Sequence, residues 1–209
     1  MSIRPSALPG VLAGLLLFAS ACAPQAPHLD SPGSTLVCFG DSITYGVGAG
    51  DEPTYPQLLS EHLGVEALNA GVPGDTTADG LARIDEVLDL DPWLVVVELG
   101  GNDLLQRRPR DAVEADLREI LEILLEERVL PVLVRVEGPF GYDYGDLFHQ
   151  LAEEYQLPLL DEALPDILRS PRLKADPIHP NGAGYEVLAE EVADLLRPLM
   201  RARRKALAA

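Results

Sequence analysis

From Thr35 onward the chain alternates between short apolar runs and longer stretches of helical periodicity. The apolar runs predict strands at Thr35–Phe39, Glu66–Asn69, Trp93–Leu99, Pro131–Val136 and Leu157–Leu160. They are rich in Val and Leu and mostly lack the in–out alternation of a half-exposed strand, so they read as strands covered on both faces. Amphipathic spacing predicts helices over about Tyr55–Leu63, Ala78–Leu88, Asp111–Glu127 and Tyr144–Tyr155, and a last one from about Gly184 to Met200. This alternation predicts an α/β fold, a parallel five-stranded sheet between two helical layers. Ligands of such sheets bind beyond the carboxyl ends of the strands. The loops after the first three strands, and the loop before the last helix, are therefore the places to look for chemistry.

The first 34 residues break this pattern. Arg4, the apolar run Val11–Phe18 and the small residues Ala19, Ser20 and Ala21 have the order of a signal peptide over residues 1–21. The run is too short for a membrane-spanning helix. Cys22 follows directly and resembles the lipidated cysteine of a bacterial lipobox, with Ala19 in place of the usual leucine. Residues 22–34 hold three prolines and no apolar period, and read as a flexible tether. The expected organisation is a signal peptide (1–21), a tether (22–34), one catalytic domain (35–200) and a basic tail (201–209). The expected location is the cell envelope, with a membrane as partner through lipid on Cys22.

A length of 209 residues suits one such domain. The net charge of −18 argues against nucleic acid as a partner, because phosphates would be repelled. Of the two cysteines, Cys38 sits in an apolar strand and reads as a core residue, so no disulfide framework is expected. His62 and His149 fall in amphipathic helices and read as solvent-facing.

Four polar clusters occupy the loops singled out above. Gly40-Asp41-Ser42 follows the first strand and offers a serine nucleophile, although Ser and Asp also cap helices. The nearby Gly46–Gly50 stretch lacks both the dinucleotide glycine spacing and the Lys-Ser/Thr pair of a phosphate loop. Gly74, in Gly74-Asp75-Thr76-Thr77, lets a backbone N–H approach an oxyanion closely, or simply makes a turn. Gly100-Gly101-Asn102-Asp103 offers the Asn102 amide as a further donor, or again a turn. Asp176-Pro177-Ile178-His179 places a carboxylate within reach of an imidazole on a proline-stiffened loop. Asp176 can then fix the His179 tautomer, leaving Nε2 to take a proton from Ser42.

Taken in this order, the clusters resemble the four sequence blocks of the SGNH (GDSL-type) hydrolases, over Thr35 to about Leu199. Glu98–Asp103 and Gly74–Thr77 look most like the bacterial thioesterase, lysophospholipase and arylesterase branch. The resemblance implies a flavodoxin-like strand order 2-1-3-4-5, no metal and no cofactor. It also implies an oxyanion hole formed by the N–H of Ser42, the N–H of Gly74 and the Asn102 amide. The implied activity is hydrolysis of small acyl esters, thioesters or lipids through an acyl-enzyme. A carbohydrate acetyl esterase on the same fold and a non-catalytic envelope-binding lipoprotein are the alternatives. Val72, Pro73, Leu104, Leu105, Pro139 and Phe140 are expected to line an apolar acyl groove. Tyr142 and Tyr144 could instead stack on a sugar. The sequence carries no indication of oligomeric state.

Overall fold

A computed structural model of the chain describes residues 26–138 and 143–208. The expected signal peptide, Cys22, Pro139, Phe140 and Tyr142 lie outside the described residues. Five parallel strands form one sheet: β1 (Thr35–Gly40), β2 (Ala67–Gly71), β3 (Pro92–Glu98), β4 (Leu130–Val134) and β5 (Leu159–Leu160). Their order is β2-β1-β3-β4-β5, as the resemblance implied. Every residue of β3 and β4 is buried, which is why these strands read as continuous apolar runs. β5 is shorter than expected. Pro158 has no N–H to give a ladder and contributes only its carbonyl, which accepts from Leu133 N at 2.9 Å.

Nine helices are described: α1 (Ser42–Tyr45), α2 (Tyr55–Leu63), α3 (Thr77–Ala82), α4 (Ile84–Leu88), α5 (Gly101–Gln106), α6 (Arg110–Glu126), α7 (Leu147–Tyr155), α8 (Ala163–Arg169) and α9 (Gly182–Ala206). They flank the sheet in a three-layer α/β/α arrangement, with α2 packed on α9 and α3 on α6. In α6 the buried residues are Val113, Leu117, Ile120, Leu121 and Leu124, one stripe at helical spacing. Among the described residues no helix is long and apolar enough to cross a membrane.

Three differences from the sequence pattern bear on the site. The single helix expected over Ala78–Leu88 is two, broken at Arg83, whose backbone leaves helical torsions at φ −118° and ψ 19°. The short helices α1, α5 and α8 were not anticipated, and two of them carry Ser42 and Asn102. The last helix runs past its expected end at Met200 to Ala206, so the basic tail is its helical end.

Residues 26–34, expected as free tether, lie against the domain. Arg203 of α9 donates to the carbonyls of Ser31 (2.9 Å) and Gly33 (2.6 Å), and its guanidinium lies 4.6 Å from the centre of the Trp93 ring. Asp30 pairs with Arg128 at 2.9 Å. Proline content alone suggested a loose segment; its carbonyls, bonded by Arg203 from the far end of the same chain, hold it in place.

Candidate active site

The strand order brings the polar loops together. β1 lies between β2 and β3, so the loop carrying Ser42 is flanked by the loop of Gly74 and that of Asn102. Gly40 pairs in register with Gly71 on one side and Glu98 on the other, so the three loops leave the sheet at one level. Gly40 has no room for a side chain: a Cβ there would stand 2.2 Å from Thr44 Oγ1 and 2.5 Å from the Glu98 carbonyl.

Asp41 caps α1, accepting from Ile43 N at 2.9 Å, and this turn presents the half-buried Ser42. The Ser42 Oγ lies 3.0 Å from His179 Nε2. His179 Nδ1 lies 2.7 Å from Asp176 Oδ2. The other oxygen of Asp176 accepts from the backbone N–H groups of Ile178 and His179, each at 2.9 Å. One carboxylate thus shapes the loop and orients the imidazole. Burial works against the charged form of Asp176, but the hydrogen bonds from His179 and the two backbone donors outweigh it. Its pKa lies below the ordinary carboxylate range. The loop is closed by Ala175 N to His179 O and Asn181 N to Leu173 O, both 2.9 Å.

With Nδ1–H donated to the Asp176 carboxylate, Nε2 is left as an acceptor for the Ser42 hydroxyl. That arrangement can draw the hydroxyl proton away as the oxygen attacks an electrophile.

Gly74 is exposed with φ +94°, a backbone conformation that L side chains adopt rarely, and its N–H has no partner among the described residues. The Asn102 amide donates to Asp41 Oδ2 and to the Asp75 carbonyl, each at 2.9 Å. Two residues that the sequence did not single out hold these loops. Arg83 donates to Asp75 Oδ2 (2.6 Å) and to the Gly40 carbonyl (3.0 Å). Buried Asp103 accepts from the N–H (2.9 Å) and hydroxyl (2.8 Å) of Thr77, tying the Asn102 loop to α3. Arg83 gave no signal, since it lies inside a pattern that reads as one continuous helix. Asp103 gave none beyond its motif.

A cleft of about 570 Å³ opens from Ser42 and His179. Its apolar walls include Ile43, Leu105, Val136, Leu164, Leu168 and Ile178. Of the expected groove residues that are described, only Leu105 lines it. Leu104 is 4% exposed and packs into the core, because adjacent positions on α5 face different directions. Val72 and Pro73 are exposed outside the cleft. The remaining wall is charged, with Arg135, Glu137, Asp143, Arg169 and Lys174. Arg135 contacts Asp143 at 3.0 Å, and Arg169 pairs with Glu137. Tyr144 is buried, with its hydroxyl donating to the Arg108 carbonyl at 3.3 Å, so it is no stacking platform. His62 and His149 do not line the cleft and face Glu186 and Asp161. Among the described residues no group of His, Cys, Asp or Glu is placed to hold a metal ion.

The sequence model of the GDSL-like lipase/acylhydrolase family matches residues 38–187, most of the chain. The chain belongs to that family. As a GDSL-family protein it is an ester-hydrolysing enzyme. It is 30% identical over 203 residues to thioesterase 1/protease 1/lysophospholipase L1 of Escherichia coli (strain K12), covering 92% of this chain and 93% of that protein. It is 31% identical to an arylesterase of Vibrio mimicus, covering 89% of this chain and 96% of that one. The crystal structure of TesA superposes with a TM-score of 0.73 at 29% identity, over 79% of this chain and 99% of that one.

Proposed function

We propose that this GDSL-family enzyme is a serine esterase acting on short- to medium-chain acyl esters or thioesters. The observation that carries the reading is the relay of Ser42 Oγ to His179 Nε2 at 3.0 Å and His179 Nδ1 to Asp176 Oδ2 at 2.7 Å. In this reading His179 takes the Ser42 proton as Oγ attacks the acyl carbonyl. The N–H groups of Ser42 and Gly74 and the Asn102 amide receive the oxyanion. Loss of one such donor costs about 3 kcal/mol in related chemistry. His179 then protonates the leaving group and activates the water that hydrolyses the acyl-enzyme. The names of the relatives, a thioesterase/lysophospholipase and an arylesterase, support this substrate class. So do the apolar cleft walls and the burial of Tyr144, which leaves a glycan less to stack on.

The test is the burst of nitrophenol from p-nitrophenyl acetate and its abolition by a serine-reactive phosphonate. Stoichiometric labelling of Ser42 is expected. Full activity after exposure to the phosphonate would refute the serine mechanism. Efficient acetyl release from acetylated xylan, with a marked fall from acetate to butyrate esters, would favour a carbohydrate esterase.

The enzyme is further proposed to be exported and lipid-anchored through Cys22. The small residues before Cys22 support this. One acyl chain binds membranes only marginally, so several are expected on this cysteine. Mass spectrometry of the mature N-terminus should find lipid on Cys22, and an unmodified N-terminus elsewhere would refute the anchor.

A further inference from the structure

Behind the nucleophile lies a pair of carboxyl groups that the reaction above does not use. Glu98 ends β3 and is 1% exposed. Its Oε2 accepts from Thr44 Oγ1 at 2.9 Å, and Thr44 Oγ1 lies 3.2 Å from the hydroxyl of buried Tyr55. Its Oε1 is buried and meets no donor among the described residues. The Asp41 carboxyl, itself 2% exposed, is its neighbour, because Asp41 follows Gly40, which pairs in register with Glu98.

Two buried carboxylates in contact do not both ionise, because repulsion and lost hydration act together. A single proton on Glu98 resolves both problems. On Oε1 it supplies the hydrogen that this oxygen lacks, and it lets Glu98 donate to its neighbour Asp41. The surroundings agree. Burial holds both acids above the ordinary range, Asp41 at about 6 and Glu98 well above it, while Ile43 N–H and His179 pull Asp41 back down. The other groups facing the pair are the backbone N–H groups of Asp41 and Thr44, which draw Glu98 part of the way back down, Asp75, already paired with Arg83, and the hydroxyls of Thr44, Tyr55 and Tyr185. None of these supplies a positive charge that would let both acids ionise.

The consequence reaches the oxyanion donors. An amide nitrogen has two hydrogens. Those of Asn102 go to Asp41 Oδ2 and the Asp75 carbonyl, so the position of Asp41 sets the plane of the amide. A free Asp41 carboxylate would also compete with the oxyanion for the same N–H. A proton from Glu98 satisfies part of its acceptor capacity, which weakens its hold on that N–H and lets the hydrogen be shared with the oxyanion as it forms.

We propose that Glu98 is a positioning residue: a neutral acid whose proton fixes Asp41 and, through Asp41, aims the Asn102 amide at the oxyanion. The proposal rests on the serine-esterase reading above. It concerns how one donor is oriented and adds no step to the reaction.

The experiment has two arms. In the first, infrared difference spectra of wild type against Glu98→Gln at neutral pH should show the carbonyl stretch of one protonated carboxylic acid. Its absence would overturn the proposal whatever the enzyme hydrolyses. In the second, kcat is measured per phosphonate-titrated site, so that misfolded protein does not count. Glu98→Leu should lower kcat at least about tenfold with KM within about threefold, because a misaimed donor is felt mainly in the transition state. Glu98→Gln, whose amide still donates to Asp41, should recover kcat to within about threefold of wild type. The side-chain amide resonances of Asn102 should move in Glu98→Leu and stay in Glu98→Gln. Glu98→Met carries the comparison if Glu98→Leu does not fold. Wild-type kcat per site in the apolar variant, or an equal loss in Glu98→Gln, would overturn the proposal. Failure of the phosphonate to label Ser42 would instead sink the serine-esterase reading, and the infrared arm would still judge the acid pair.

Discussion

The Nε of Arg83 lies 2.6 Å from Oδ2 of Asp75 in a largely buried ion pair, while the same guanidinium reaches the Gly40 carbonyl at 3.0 Å. One side chain therefore joins the residue after Gly74 to the residue two before Ser42. It also lies over the Phe39 ring at 4.7 Å. Arg83→Leu should release the Gly74 loop and lower kcat by about ten- to a hundredfold, the usual cost of an ångström-scale misplacement. Steady-state kinetics on p-nitrophenyl acetate check this. Unchanged kcat would show that Gly74 is positioned without Arg83.

Ser42→Ala should reduce kcat by several orders of magnitude with the fold intact. Asp176→Asn tests the finer point, since an amide in place of the carboxylate admits the wrong imidazole tautomer. A loss of at least about a hundredfold is expected, with circular dichroism unchanged. Retention of more than about a tenth of wild-type activity by Ser42→Ala would remove Ser42 from the mechanism.

Stability should vary with pH through the buried acid at the capping turn. Asp41 titrates at about 6 in the folded chain against an ordinary value of 3.8. The unfolded chain gives up this proton first, so the folded state loses ground as pH rises from about 4 to above 6. The loss is of order 3 kcal/mol, and Asp41→Asn should remove it. Asp176 acts the other way. Its pKa is held down in the folded chain, so its contribution is present above the ordinary carboxylate pKa and disappears as pH falls through its folded value. Urea unfolding of wild type and Asp41→Asn across this range is the measurement. Parallel profiles would contradict the assignment.

Chain-length preference should follow Leu105, which is 46% exposed along the cleft wall. Leu105→Ser should lower kcat/KM for butyrate and octanoate esters and spare acetate. Each acyl methylene that loses apolar cover forfeits up to about 0.8 kcal/mol, or about fourfold. An equal loss on all three esters would place the acyl chain elsewhere.

Much of the site was legible because its signals are local. Asp176 and His179 stand three residues apart on a stiff loop, and the Gly-Asp-Ser turn follows a recognisable strand. What was missed depends on direction rather than position. Leu104 and Leu105 look alike in sequence, but the unforeseen helix α5 turns the first into the core and the second toward the cleft. Arg83 interrupts a good amphipathic pattern because its side chain has partners on β1 and after β2, which periodicity does not record. Glu98 read as one letter of a motif. Its burial follows from the height at which β3 ends beside Gly40. The cleft walls from Leu164 to Ile178 come from a segment whose path over the sheet no local pattern fixes.

The attachment of Ser31 and Gly33 to Arg203 has a mechanical consequence. The chain enters the domain beside the start of β1, and Ser42 stands just past its end. The two points are separated by the length of a six-residue strand, about 20 Å. A force on the chain before Ala26 is thus taken up by the end of α9 and the foot of the sheet, not by the loops of the cleft. The point where the chain joins the domain and the cleft at Ser42 therefore lie at opposite ends of β1.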